Sequence, residues 1–265
     1  MKHMKYFKLL ILGMKKVFIY RSSIVLILFS SAASIFILQK FWYALYADDY
    51  SQYLYMANYA VVSQILGIMY QLRTQNILAQ RIRSGAISVE LLRPWEYINA
   101  LLFEDLGTII GNLLTKGVVL SIAALVLFGV SIPPAGNILL FFLSAFLGFL
   151  LLFLMYMLVA MMCFWFIEAS MLLTLLDVII KLLSGQFLPT WLMPAWLEKM
   201  MNALPFIWIY QKPISVFLGA AEGGAVIGSD YIKIVALQIG WIAVLYFVVL
   251  WVWRIAVDKL SVQGG

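Results

Sequence analysis

Four ionisable residues stand inside long apolar stretches of this chain: Lys116, Glu168, Asp177 and Lys181. A charge near the centre of a membrane helix costs about 2.5 to 3.5 kcal/mol on the insertion scale, so such groups either neutralise one another or line a polar path. Asp177 and Lys181 are spaced i,i+4 with the acid first, which puts them on one helix face in the better order for an ion pair. Mutual neutralisation and a polar patch on a pathway or subunit interface both fit that pair. Glu168 lies about half a turn round the same helix from Asp177, so the two do not make one site. Lys116 pairs across helices with Asp177 or Glu168, or it faces water.

Other chemistry is scarce. His3 is the only histidine and Cys163 the only cysteine, so no intrachain disulfide, zinc cluster or histidine-based catalysis can be assembled. A membrane-embedded enzyme would need a nucleophile with its base, or a metal cluster, and neither is visible. The phosphate-cradling pattern G-x-x-x-x-G-K-[ST] is absent as well, so the chain does not hydrolyse nucleotides by that route. No catalytic residue, metal or cofactor of its own is expected.

The elements that must position these residues follow from composition. The 265 residues are 65% hydrophobic and only 11% charged, with mean hydropathy +1.01. A soluble domain is nearer half apolar and a quarter charged, and a chain of this length could not hide the excess from water. The apolar blocks are long enough to cross a hydrocarbon core of ~30 Å as helices and lack the alternation of a barrel. An all-α integral membrane protein with six transmembrane helices is therefore expected, as a single membrane domain over residues 1–265. The net charge of +6 and isoelectric point near 9.3 fit loops that meet anionic lipid rather than nucleic acid.

The leader, residues 1–21, sets Met4, Phe7, Leu10, Ile11, Met14, Val17 and Phe18 at helical spacing with lysines on other faces. That pattern predicts an interfacial amphipathic helix anchored at the membrane surface. No small-residue cleavage site follows the first apolar stretch, so no cleaved signal peptide is expected. Spans are predicted at 22–38, 54–72, 106–128, 138–161, 169–188 and 234–253. After the first, the aromatic and acidic segment from Phe41-Trp42-Tyr43 to Asp48-Asp49-Tyr50 suits a headgroup boundary. The second span is the weakest because it holds Asn58, Ser63 and Gln64. It is kept because it returns Arg73, Arg81, Arg83 and Arg93 to the side of the lysine-rich N-terminus. Both termini are then cytoplasmic, with twelve basic residues inside and four outside. The turn near Cys163 to Glu168 is the least defined boundary, with a break nearer Phe166 as the other choice. Gly107 and Gly111 offer a small-residue face for close helix packing.

Two segments outside the spans carry pattern. In residues 73–105 the run from Asn76 to Pro94 reads as a short helix, a stop at Gly85 and a second short helix ended by proline. Ile77, Ile82, Ile87, Leu91 and Leu92 can seat against membrane or partner, while Arg81, Arg83, Glu90 and Arg93 offer ion pairs. A solvated basic loop and a docking site both fit. In residues 189–231, Pro189, Trp191, Pro194 and Trp196 mix helix starters with amphipathic rings, and Pro205, Phe206 and Pro213 continue the pattern. Short re-entrant helices dipping into the outer leaflet are predicted, either as an aromatic belt or as an exit gate.

The run Ile82-Arg83-Ser84-Gly85-Ala86-Ile87 with Leu91-Leu92-Arg93-Pro94 resembles the loop between spans two and three of bacterial ABC transporter permeases of the ABC type-2 family. Leu183-Ser184-Gly185, Pro189, Pro194-Ala195-Trp196-Leu197, Leu204-Pro205-Phe206, Tyr210-Gln211-Lys212-Pro213 and Leu218-Gly219 resemble that family's connection between spans five and six. The resemblance implies a half-transporter in the bacterial cytoplasmic membrane. Two such permeases, alike or related, pair around a central pathway. Each docks a separate nucleotide-binding ATPase, which carries the ATP and magnesium, through the cytoplasmic coupling helix. It also implies roles in coupling for Arg81, Arg83, Gly85, Glu90, Arg93 and Pro94, and in an outer gate for the 189–231 segment. The rival reading is an ATP-independent ion-coupled carrier or channel that uses Lys116, Glu168, Asp177 and Lys181.

Overall fold

The computed structural model describes residues 2–19, 21–93, 96–128, 130, 133–166, 170–221, 224–225 and 228–263. Pro94 and Glu168, both singled out above, lie outside the described residues. The amphipathic leader forms α1 (Lys2–Ile19), and the first apolar block forms α2 (Arg21–Leu45). They are followed by α3 (Tyr50–Met69), α4 (Thr74–Arg83), α5 (Ile87–Leu91) and α6 (Tyr97–Asn112), which runs through a π-turn at Leu113–Gly117 into α7 (Val118–Phe128). Then come α8 (Ala135–Met161), α9 (Ser170–Leu183), α10 (Ala195–Ala203), α11 (Gln211–Leu218) and α12 (Gly228–Gln263). A two-residue antiparallel ladder, β1 (Ala220–Ala221) with β2 (Gly224–Ala225), precedes the last helix.

Among the described residues four helical stretches are long and apolar enough to cross a membrane: Ser23–Leu45, Tyr97–Leu127, Ala135–Phe164 and Asp230–Lys259. They match the first, third, fourth and sixth predicted spans. The first is longer than expected, because Phe41, Trp42 and Tyr43, assigned above to a headgroup segment, continue the helix. The other two predicted spans fall short by length or composition. The 20-residue α3 carries too many polar side chains, and α9 has only 14 residues. At 1.5 Å per residue α9 is about 21 Å long, and the predicted remainder to Leu188 is a turn rather than helix.

Capping explains several ends. The Asp49 carboxylate accepts the Ser51 and Gln52 backbone N–H groups at 3.1 Å, which starts α3. The Gln52 and Ser51 hydrogen bonds hold that carboxyl below its ordinary pKa. Gly85, at φ +73, stops α4 in the left-handed conformation that the sequence pattern calls for. The expected break after α8 falls where a 3₁₀ turn, Met162–Phe164, ends at Trp165 and Phe166.

The core centres on α8, whose Phe149, Leu151 and Phe153 are buried and which packs against α12, α11, α4 and α9. Its partner α12 runs in the same direction. Tyr231 meets Asn137 at 3.4 Å near both helix starts, Ser144 meets Gln238 at 3.0 Å further along, and Phe164 meets Trp253 at 6.3 Å near the ends.

The α1 helix is packed along α6 as well as exposed. A Cβ on Gly107 would collide with the Leu10 carbonyl, one on Gly13 with the Glu104 carbonyl, and one on Gly111 with Val17. The small-residue face read at Gly107 and Gly111 thus receives α1 at backbone contact. Met4, Phe7, Phe18 and Ile19 remain exposed on the other side of α1, an apolar face available to lipid.

Candidate functional site

The segment in which the sequence allows a docking site is built from α4 and α5. Thr74, Leu78 and Ala79 bury one face of α4 against the bundle, and Ile87 anchors α5 with no exposed surface. Glu90 on α5 is held from both sides, by Arg81 at 3.7 Å and by Arg93 at 3.1 Å. Arg81 also donates to the Tyr97 hydroxyl at 3.1 Å. Partial burial opposes its charge, but the bond to Tyr97 and the field of Glu90 outweigh it and raise the guanidinium pKa above its ordinary value. Tyr97 in turn stacks on Trp253 of α12, centroids 5.8 Å apart. Glu90 therefore fixes the shape of the loop, and its tie continues through Arg81 and Tyr97 to α12. The predicted anchors divide: Ile82 and Leu91 pack against the core, whereas Leu92 stays 85% exposed beside Val89 at 64%. Arg83 and Gly85 are exposed too.

A second cluster, unread in the sequence, lies where α1, α3, α4 and α6 meet. Lys16 pairs with Glu104, and Thr74 donates its hydroxyl to Asp105. The π-turn presents Lys116, only 5% exposed, whose ammonium donates to Gln71 Oε1 at 3.0 Å. The sequence leaves Lys116 to pair with Asp177 or Glu168 or to face water; Glu168 lies outside the described residues, Asp177 is taken by Lys181 and Tyr156, and Lys116 sits beside Gln71, on the wider π-turn. Asp105 Oδ1 and Asn112 Nδ2 are buried without a hydrogen-bond partner among the described residues. Both residues line a small space of about 50 Å³, enough for a water molecule.

Gln71 also lines a larger cavity of about 560 Å³ bounded by α2, α3, α4, α8 and α9. The Asp177–Lys181 pair sits in its wall at 2.6 Å, in the predicted register. Asp177 is fully engaged: Oδ2 takes the Lys181 ammonium and Oδ1 takes the Tyr156 hydroxyl at 2.7 Å. The helix break at Gln71–Arg73 opens this cavity beside α4, with Gln75 donating to the Leu72 carbonyl at 3.1 Å to hold the turn.

The segment predicted to lie on the outer side, with the turn that leads into it, is held by buried polar contacts. Tyr59 donates to the Gly185 carbonyl and Ser63 to the Gln186 carbonyl. Gln211 accepts the Thr190 N–H at 3.0 Å, donates to the Thr190 hydroxyl at 2.7 Å, and sends its backbone N–H to Ser184. Gly185, at φ +76, leaves no room for a Cβ against Gln211. Non-helical backbone buried in a membrane protein needs such partners. Trp191 packs edge-on against Tyr59 at 6.0 Å, whereas Trp196 is 68% exposed. Pro189, Pro205 and Pro213 are buried, Phe206 is half-buried and Pro194 is exposed. The carbonyls of Trp208 and Ile209 abut Gly148, about 20 Å along α8 from its start. Gln238 of α12 donates to both the Trp208 and Ser144 carbonyls, at 2.8 and 3.0 Å.

Sequence reasoning thus found the loop residues and the Asp177–Lys181 pair but missed Lys16, Gln71, Glu104, Asp105 and Gln238. Only polarity buried inside apolar helices could have flagged Glu104, Asp105 and Gln238, and it names no partner. Among the described residues no group of three His, Cys, Asp or Glu side chains converges as a metal site. Comparison with curated proteins finds no match. A family model described as ABC-2 family transporter protein matches residues 48–264, from the turn before α3 through the last helix. With that match covering most of its length, the chain belongs to the ABC-2 family of transporter proteins, as a membrane-embedded transport component.

Proposed function

We propose that this chain is the transmembrane subunit of an ATP-binding-cassette exporter. It forms half of the translocation pathway and docks a separate ATPase subunit through α4 and α5. Two copies, or one copy with a related permease, would enclose the pathway in a bacterial plasma membrane, with both termini and the docking loop on the cytoplasmic side. In that reading α3, and α9 with the turn after it, complete six crossings whose irregular parts are satisfied by protein.

The observation that carries the reading is the construction of the loop. Its underside is tied into the bundle through Glu90, Arg81, Tyr97 and Trp253, while Val89, Leu92 and Arg83 are exposed among the described residues and open to a partner. An apolar pair ringed by charge is the composition of a protein–protein contact. The ion-carrier reading has less support, because Asp177 is already neutralised and Lys116 is engaged with Gln71.

The test is to purify the chain in mild detergent together with the products of its neighbouring genes. A nucleotide-binding subunit that copurifies and hydrolyses ATP is the expected result, lost when Val89 and Leu92 are both replaced by aspartate. Recovery of the chain without any such subunit would overturn the proposal.

A further inference from the structure

A second cavity, of about 300 Å³, lies between α3, the π-turn, α7, α8 and α11 and shares no lining residue with the polar one. α7 packs on α3 and the π-turn, and α8 on α11 and α12, which leaves a cleft between α7 and α8. Ile65, Leu113 and Phe217 line it from within. Leu125 and Phe142 line it too but are 43% and 44% exposed, so they stand at its mouth, on the flank that faces lipid. Ser121 is the sole polar side chain in the lining among the described residues. Its hydroxyl alone gives a water molecule too few partners, since a buried water needs two to four.

The cavity extends along the helices by the depth of one leaflet. Its lining runs from Val61 to Met69 on α3 and from Leu113 to Leu125 on α7, about 12 and 18 Å of helix. On α8 it keeps to the part near the start, Ile138 to Phe142. Just past the end of α3 the Tyr70 hydroxyl donates to the Ala145 carbonyl at 2.6 Å, a point about 15 Å along α8 from its start. Half the thickness of a hydrocarbon core is also about 15 Å. Spread over that length, about 300 Å³ corresponds to a channel about 5 Å across. Such a channel admits one extended hydrocarbon chain and excludes a helix from a second copy, which is about 10 to 12 Å across.

We infer that the cleft between α7 and α8 holds one acyl chain of a bilayer phospholipid, drawn from the leaflet at which α8 begins, the outer one in the proposed orientation. The chain fills a gap that the helices leave and supplies the dispersion contacts its apolar walls otherwise lack. It also rests on Phe217, whose ring meets Phe141 edge-on at 5.1 Å. Phe217 belongs to α11, the last helix of the segment read as an outer gate, so the lipid braces that segment from the side.

This inference needs only that the long apolar stretches cross a membrane, and its test needs no ATPase. The full chain is placed in nanodiscs of phosphatidylethanolamine and phosphatidylglycerol. They are doped with a phosphatidylethanolamine that carries a diazirine midway along one acyl chain, irradiated, and mapped by peptide mass spectrometry. Bulk lipid labels Val126 and Leu139, which are 76% and 73% exposed; a chain in the cleft labels Ile65 and Leu113 as well. Leu125→Trp closes the mouth from an exposed position, and Ile65→Trp fills the cavity from α3. Leu125→Trp should lower labelling of Ile65 and Leu113, and Ile65→Trp that of Leu113, by about tenfold, with Leu139 unchanged. An unchanged unfolding temperature in Leu125→Trp separates blocking from misfolding, and if either variant fails to fold, labelling of the unaltered chain decides alone. Labelling confined to exposed residues, or labelling of Ile65 that Leu125→Trp leaves unchanged, would overturn the inference. So would labelling of the cleft by a diazirine fatty acid but not by the phospholipid, or a cross-link there between two copies of the chain. Copurification of the ATPase is unaffected by any of those results.

Discussion

Asp177 commits both carboxylate oxygens locally, one to the Tyr156 hydroxyl and one to the Lys181 ammonium. Removing Lys181 alone leaves an acid without its cation in a largely apolar helix, whereas removing both charges leaves none. Lys181→Met should therefore lower the unfolding temperature more than the double variant Asp177→Asn, Lys181→Met. The difference is about 1 kcal/mol, kept small because the two side chains are 41% and 42% exposed. Equal losses in a thermal unfolding series would show that the pair does not act as a unit. At Glu90 the same logic runs outward. Glu90→Lys sets a third cation between Arg81 and Arg93, so the loop should lose its shape and ATP hydrolysis should uncouple from transport. Glu90→Gln, which can still accept hydrogen bonds, should retain part of the coupling. Full coupling in Glu90→Lys, measured in proteoliposomes with the ATPase, would remove this residue from the coupling path.

At the scale of elements, glycine decides where backbones touch. Gly107→Leu should push α1 off α6 at a cost of about 1 to 3 kcal/mol, read as faster proteolysis of the leader with the rest intact. Gly185→Ala places a Cβ at positive φ against Gln211, so the outer segment should lose about 2 kcal/mol and protect its amides less from hydrogen exchange. Helices set by hydropathy, α2, α8 and α12, are legible from composition, as is the stop at Gly85, because the signal lies within the element. The break at Gln71–Arg73 falls where the second predicted span ends, at residue 72, but what holds it is not legible: the Gln75 amide and the Asp105 carboxylate, 31 residues from its partner Thr74. For the same reason the apolar pattern overextends α9. Ser184, Gly185 and Gln186 leave the helix because Gln211, Tyr59 and Ser63, all distant in sequence, take up their backbone carbonyls. The Lys16–Glu104 contact joins residues 88 apart, a relation that local pattern cannot contain.

For the whole molecule, three of the described stretches long and apolar enough to cross a membrane have 30 or 31 residues, more than the roughly 20 that a hydrocarbon core needs. About ten residues of each, some 15 Å, are left to extend beyond it. The α1–α6 contact, the loop and the ends of α8 and α12 gather at one end of the bundle, joined there by Tyr6–Phe103, Tyr97–Trp253 and Phe164–Trp253. Under the proposed function the α4–α5 loop would thus stand on a helical pedestal rather than on the membrane face itself. Its position is legible only as a basic side of the chain; its height comes from helix lengths that composition does not bound.

One helix spans the distance from that pedestal to the outer segment. α12 runs without interruption from Gly228 to Gln263, is gripped at Trp253 by Tyr97, and grips the Trp208 carbonyl through Gln238. The fifteen residues between those grips cover about 22 Å. A stiff rod held at both ends converts a tilt at its foot into a displacement at its head, so under the proposed function a push on the loop that reaches Trp253 through Arg81 and Tyr97 would be carried along the helix itself to Gln238 and Trp208. Pro substituted at Val244, midway between the grips, should hinge the rod: ATP hydrolysis would continue on an intact docking loop while transport stops.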